Sequence, residues 1–303
     1  MQHLDLHVTM IAHEHCVCGE GPIWHDTEGV LYWQDIPTGR LFRFDPQTKS
    51  HETVYRGRFI GATTIQADDS MLLLGQDCEV LVFRDGKATP VIEGITGETR
   101  FNDAIADPEG RVFSGSMPKD APDGKGAYGN GKFSQLGKLY RIDPDGSCRV
   151  VDEGFGCANG FGWTPDGKGL YFTDSNPGVI YRYDYNAATG DLSNRQVIWE
   201  DHDQTPDGMA MAEGGHFWSA RWGGSCVVEH CPDTGNELSK FMLPTQNITS
   251  IFFGGVGRDT AYITSAGGDP ESPKQGDAAG ATFSVKIPGV RGVPECRSRI
   301  GLD

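Results

Sequence analysis

The chain has no apolar run long enough to span a bilayer as a helix, and its amino end shows no basic patch leading into an apolar core. Nothing in it therefore argues for membrane insertion or secretion, and a cytoplasmic protein is expected. Basic residues are scarce. There are 26 Lys and Arg against 42 Asp and Glu, a net charge of -16, and no local basic cluster, so nucleic acid and other polyanions are disfavoured as partners. No spacing among Cys16, Cys18, Cys78, Cys148, Cys157, Cys226, Cys231 and Cys296 matches a disulfide framework. Cys16-Val-Cys18 is too tight for a zinc knuckle, and Cys226 with Cys231 lacks a second pair. Reduced thiols are the reading that this leaves. A sustained helical period and a Pro/Ser-rich or charge-block boundary are missing too, so residues 1–303 read as one domain without a linker.

What the chain does have is turns and short apolar strands: 42 Gly, 17 Pro and 10% aromatic residues. Six times an apolar run leads into a tight polar turn and out into a second apolar run, at 22–33, 63–74, 104–115, 160–173, 209–220 and 251–264. Successive starts lie about 40 to 55 residues apart, the period of a four-stranded propeller blade. Asp-Pro-Glu-Gly and Thr-Pro-Asp-Gly supply the preset φ of Pro and the positive φ of Gly that such hairpins need. A further alternating strand follows each unit, at 40–44, 80–83, 138–142, 179–183, 226–229 and 281–285. The expected fold is all-β: a six-bladed β-propeller of four-stranded antiparallel blades. Its last blade lacks an outer strand, and the segment 6–12 is expected to supply one and close the ring.

In four units an oxygen-bearing side chain, Glu20, Asn102, Asn159 or Asp207, precedes the turn glycine by about eight residues. The innermost strand of each blade lines the central channel, so residues at its start meet across the channel mouth. Glu20, Asn159 and Asp207 would form a hard, all-oxygen site for a divalent cation, with positions left for water or substrate. Asn and Asp before Gly are also ordinary turn residues, and any one of them alone reads as a turn. Their recurrence at equivalent places favours a site. His13, His15 and His25 read as edge or outer-face residues and His202 as a loop residue near the mouth. Trp24, Trp163 and Trp218 read as packing between blades.

Gly19-Glu-Gly-Pro-Ile-Trp24, Arg100-Phe-Asn-Asp103, Asn159-Gly160 and Pro206-Asp-Gly-Met209, in that order and spacing, resemble the gluconolactonase and regucalcin family of sugar lactone hydrolases. Leu31–Pro37, Gly169–Asp174 and Ala279–Phe283 extend the resemblance over nearly the whole chain. It implies a six-bladed propeller carrying one catalytic divalent cation. By family position Glu20, Asn159 and Asp207 match metal ligands, and Arg100 and Asn102 match contacts to the hydroxyl and ring oxygens of a small sugar lactone. The family's metal varies among calcium, zinc, manganese and iron; the oxygen-only ligands favour calcium or manganese here and leave zinc or iron possible. Asp207 is implied as the base that takes the proton of the attacking water. A metal-binding propeller without catalysis and a phosphotriesterase-like hydrolase are the competing readings, and a monomer or weak oligomer is expected. The chain departs from the family at 116–133, where the corresponding acidic substrate contact falls on Asp120 or Asp123 without a unique alignment. Lys119 and Tyr128 are candidates for a cover over the mouth there, as is the loop 265–278.

Overall fold

The computed structural model describes residues 1–119, 135–268 and 276–302, and all its regular structure is strand. Six sheets form six blades. Their innermost strands are Gly19–His25, Ile60–Ile65, Thr99–Ala106, Ala158–Trp163, Thr205–Met211 and Ile248–Gly254. Each packs on the next and the sixth packs on the first, so the ring is closed as the repeat predicts. The inner hairpins turn where the sequence places them. Asp107 accepts from the Glu109 and Arg111 amides, both at 2.9 Å, and Gly110 follows at φ 87°. Among the described residues no helix is long and apolar enough to cross a membrane.

The core is distributed. Strands inside a blade bury both faces, so apolar side chains collect between neighbouring blades, one cluster per junction. Trp24 stacks on Tyr262 at 5.8 Å between blades one and six. Trp163 lies 5.5 Å from Phe113 and 4.4 Å from Tyr185 between blades three and four, and Trp218 lies 6.0 Å from Phe241. Blade packing is thus what these three indoles do.

The amino-terminal segment latches two blades. Thr9–Ala12 is the outermost, antiparallel strand of blade six, the closure expected from the sequence. Gln2–His3 adds a short parallel strand to Glu237–Met242 of blade five, which the alternation pattern does not reveal because two residues are too few to show a period. Leu4, Leu6 and Val8 pack on the core between them. Deleting residues 1–12 removes these three side chains and buried Ala12 and bares a sheet edge. The loss of about 4 kcal/mol expected from half-buried apolar groups corresponds to a melting temperature roughly 10 °C lower, measurable by circular dichroism.

The carboxyl-terminal segment is a strap beneath the ring. Its Val293 amide donates to Met211 in blade five, Ser298 to Ile65 in blade two, and Arg299 to Gly110 in blade three, at 3.2, 2.9 and 2.9 Å. It crosses the end of the channel opposite Glu20, Asn159 and Asp207 and forms a floor.

A candidate metal centre at the channel mouth

In every blade the ladder beside the innermost strand slips near that strand's start: at 20–23, 60–62, 101–103, 159–161, 206–209 and 248–250. A bulge interrupts the alternation and re-aims side chains that would otherwise face the neighbouring blade. Glu20, Asn102, Asn159 and Asp207 all sit at these slips. Glycine makes the crowding possible: Gly160 has φ 31°, and a Cβ there would stand 2.5 Å from the Asp207 carbonyl and 2.7 Å from Thr173 Oγ1. In blade two the bulge holds Ile60-Gly61, and in blade six Thr249, whose hydroxyl donates to the Gly19 carbonyl at 2.6 Å. Among the described residues those two blades supply no comparable oxygen.

The polar side chains form an ordered chain. Arg100 Nη1 donates to Asn102 Oδ1 at 2.6 Å, Asn102 Nδ2 donates to Asn159 Oδ1 at 2.9 Å and to the Ala158 carbonyl at 2.7 Å, and Asn159 Nδ2 donates to Ser175 Oγ at 2.9 Å. Because a guanidinium only donates, this sequence fixes which end of each amide is oxygen. Arg100 is 3% exposed and lies 4.9 Å over the Phe59 ring. Buried, stacked and bonded inward, it is no surface ion-pair residue.

The carboxylates crowd the same place. Glu20 and Asp207, 7% and 5% exposed, are within hydrogen-bond reach of each other. Burial raises both well above the usual carboxylate range, with Asp207 and Asp103 adding to the rise of Glu20 and Asp103 to that of Asp207. Asp103, the next residue after Asn102, is pushed up to about 7 by burial, against the pull of the Ala104 and Gly160 amides. Buried Glu20 and Asp207 and half-buried Asp103 therefore share one cation among the described residues, Arg100, and ionising them together would leave negative charge at the mouth uncompensated.

That deficit, and the donors present, fit a divalent cation. Asp207 Oδ1 is buried with no hydrogen-bond partner. Asn159 Oδ1 accepts a single bond, from Asn102, and Glu20 Oε2 accepts one from the Gly21 amide at 2.7 Å. Each oxygen keeps acceptor capacity that the protein leaves unfilled. Among the described residues no three His, Cys, Asp or Glu side chains are placed to hold a metal by themselves, and the donors that gather at the mouth are carboxylate and amide oxygens.

Residues 18–267 match the family described as the SMP-30/Gluconolactonase/LRE-like region. The chain belongs to that family. A pentonolactonase, XacC of Haloferax volcanii, is 41% identical over 303 residues, covering 97% of this chain and 99% of the relative. Regucalcin of Oryctolagus cuniculus is 30% identical over 297 residues, covering 96% and 97%. Among solved structures, the calcium-binding protein regucalcin from Agrobacterium tumefaciens superposes with a TM-score of 0.87 at 21% identity, covering 99% of this chain and 100% of that one. The last of these likenesses shows the propeller fold.

Other family-position and loop expectations resolve unevenly in this SMP-30/gluconolactonase protein. Asp120, Asp123 and Tyr128 lie outside the described residues, as does 269–275 of the second loop. Lys119 is ion-paired to Asp77, across from blade three to blade two. His25 corrects the sequence reading: it is fully buried at the floor end of the first inner strand, bonded to the Asp69 carbonyl at 3.3 Å, because the alternation that suggested an outer face does not apply where both faces are covered. His13 and His15 lie ring to ring at 4.0 Å, with His13 bonded to the Ala279 carbonyl at 3.2 Å. His202 is exposed and bonds the Pro177 carbonyl at 2.7 Å. Sequence reasoning assigned nothing to Asp103. Its signal was its place directly after Asn102, where a bulge lets two consecutive side chains approach the channel.

Proposed function

We propose that the protein hydrolyses a sugar lactone to the corresponding hydroxy acid, at a divalent cation held by Glu20, Asn159 and Asp207. One observation carries the reading. The partnerless Asp207 Oδ1 converges with Glu20 and the amide of Asn159 beside the Arg100–Asn102 pair, in a family whose relative XacC is named a pentonolactonase. When bound, the cation supplies Lewis-acid polarisation of the lactone carbonyl and charge stabilisation of the developing oxyanion. Asp207 takes a proton from the attacking water and returns it to the ring oxygen as the acyl C–O bond breaks, which regenerates the carboxylate. Asn102 Oδ1 has a second lone pair for a substrate hydroxyl, while Arg100 holds it in place and offers the planar geometry that suits vicinal hydroxyls. The oxygen-only donor set favours calcium or manganese over a thiophilic metal, in keeping with the calcium-binding regucalcin fold relative.

The test is proton release from a panel of five- and six-carbon aldonolactones, with a phosphotriester included, in calcium, manganese, zinc and chelator. The expected result is acceleration of at least one lactone that chelator removes and metal restores. If no lactone opens faster than its spontaneous rate in any metal, the reading is wrong; turnover of the phosphotriester alone would transfer the site to the competing chemistry.

A further inference from the structure

A cavity of about 350 Å³ opens at the floor of the ring, between the inner strands of blades three to six and the carboxyl-terminal strap. It lies below the candidate metal centre along the same strand: Met209 and Met211 in its wall stand two and four residues from Asp207, rises of about 7 and 13 Å. Its walls are aromatic and thioether, from Phe161, Trp163, Met209, Met211 and Phe252, with Val293 of the strap. Trp163 is held rigidly, its indole N–H bonded to the Ala106 carbonyl at 2.7 Å. The charges among the lining residues are carboxylates alone, Glu213 at the exposed rim and Glu295 at the deep end, where the cavity meets the narrow space around Asp103. No Lys or Arg lines it among the described residues. Arg297, two residues along the strap from Glu295, is turned to Asp69 at 3.0 Å and the Gln66 carbonyl at 3.4 Å.

We infer that this cavity binds a small organic cation, an ammonium group joined to an aromatic or short alkyl body. The volume suits a ligand of that size. Aromatic faces and sulfur atoms attract a cation and its apolar body together, and a carboxylate at the closed end supplies the counter-charge that an amine needs when it leaves water. Once Glu295 is ionised a neutral ligand leaves its charge uncompensated, and an anion would meet it and Glu213 within a chain of net charge -16. The state of Glu295 agrees with this: burial, with Asp103 and Asp26 adding to it and Arg297 opposing, pushes its carboxyl up to about 8, the behaviour of an acid that lacks a cation.

Three probes with one aromatic body and different charge decide it: phenethylammonium, 2-phenylethanol and phenylacetate, titrated by calorimetry into the whole chain. Saturating calcium keeps the mouth from competing, and a pH above 8 ionises Glu295. Phenethylammonium is expected to bind at least about tenfold more tightly than the alcohol, and phenylacetate not to bind. Glu295→Gln should bring the ammonium down to the affinity of the alcohol, and Met211→Trp, which fills the cavity, should remove both. Equal affinity for the three probes, no binding of phenethylammonium, or ammonium binding that survives both substitutions would overturn the inference. The outcome is independent of lactone turnover, which the assay above reads on its own.

Discussion

Asp207→Ala is expected to bind no divalent cation at concentrations that saturate the parent protein, and to lose at least about 10³-fold in kcat/KM on the best lactone, while its circular dichroism stays that of the folded ring. Two losses combine in this one residue. Its Oδ1 is buried without a protein partner, and the rest of the carboxyl bonds only the adjacent Gly208 amide and Glu20, so the blade ladders do not depend on it. Its carboxylate is also the only member of the pair with Glu20 that sits on the strand beside blade four, next to Asn159. Asp207→Asn separates the roles. An amide oxygen can still reach a cation but cannot take a proton, so metal binding should weaken while kcat falls close to that of the alanine variant. Without metal, both variants should melt no lower than the parent, because each removes one of three crowded carboxylates from a site with one cation among the described residues. Full activity in either variant would take Asp207 out of the site.

The repeat was readable because a blade imposes a period that composition cannot hide. Gly and Pro mark the floor turns, and the six apolar, turn, apolar units fell on the six inner hairpins. The mouth residues were readable for a related reason: Glu20, Asn159 and Asp207 stand where a core-facing strand would carry an apolar residue, and Gly follows each of them. What was not legible has physical causes. The strap at 292–301 is held by backbone hydrogen bonds to four different blades, and such bonds leave no side-chain pattern. Its Glu295, like Asp103, becomes unusual only when folding places it in the channel. His25 was misplaced since a strand buried on both faces keeps no polar side to count. The Arg100 to Asn102 to Asn159 chain joins residues 57 apart in sequence, and only the ring brings blades three and four side by side.

Metal binding and pH should be linked with a definite sign. In the metal-free protein Glu20 and Asp207 are held above the usual carboxylate range by burial, and Asp103 rises from 3.8 to about 7 for the same reason. A carboxyl whose folded value exceeds its unfolded value favours the folded state below the unfolded value, and that contribution disappears as pH rises through the folded one. The metal-free ring should accordingly lose stability as pH climbs, for Asp103 across the window from about 4 to about 7. A cation reverses the sign for the groups that it touches, because it favours their ionised form, and binding must then expel the protons they hold. At a metal concentration of about 100 Kd the holoprotein gains about 2.7 kcal/mol, or roughly 5 °C in melting temperature for a chain of this size. That gain should be present at pH 8 and shrink towards pH 5 as protons compete for the same oxygens. Calorimetric titration of metal in buffers of different ionisation enthalpy measures the protons released directly, and net release is expected because the metal-free pair is held towards its protonated form. A metal-induced melting shift of the same size at pH 5 and pH 8, with no proton release between, would mean that the cation binds away from the Glu20–Asp207 pair.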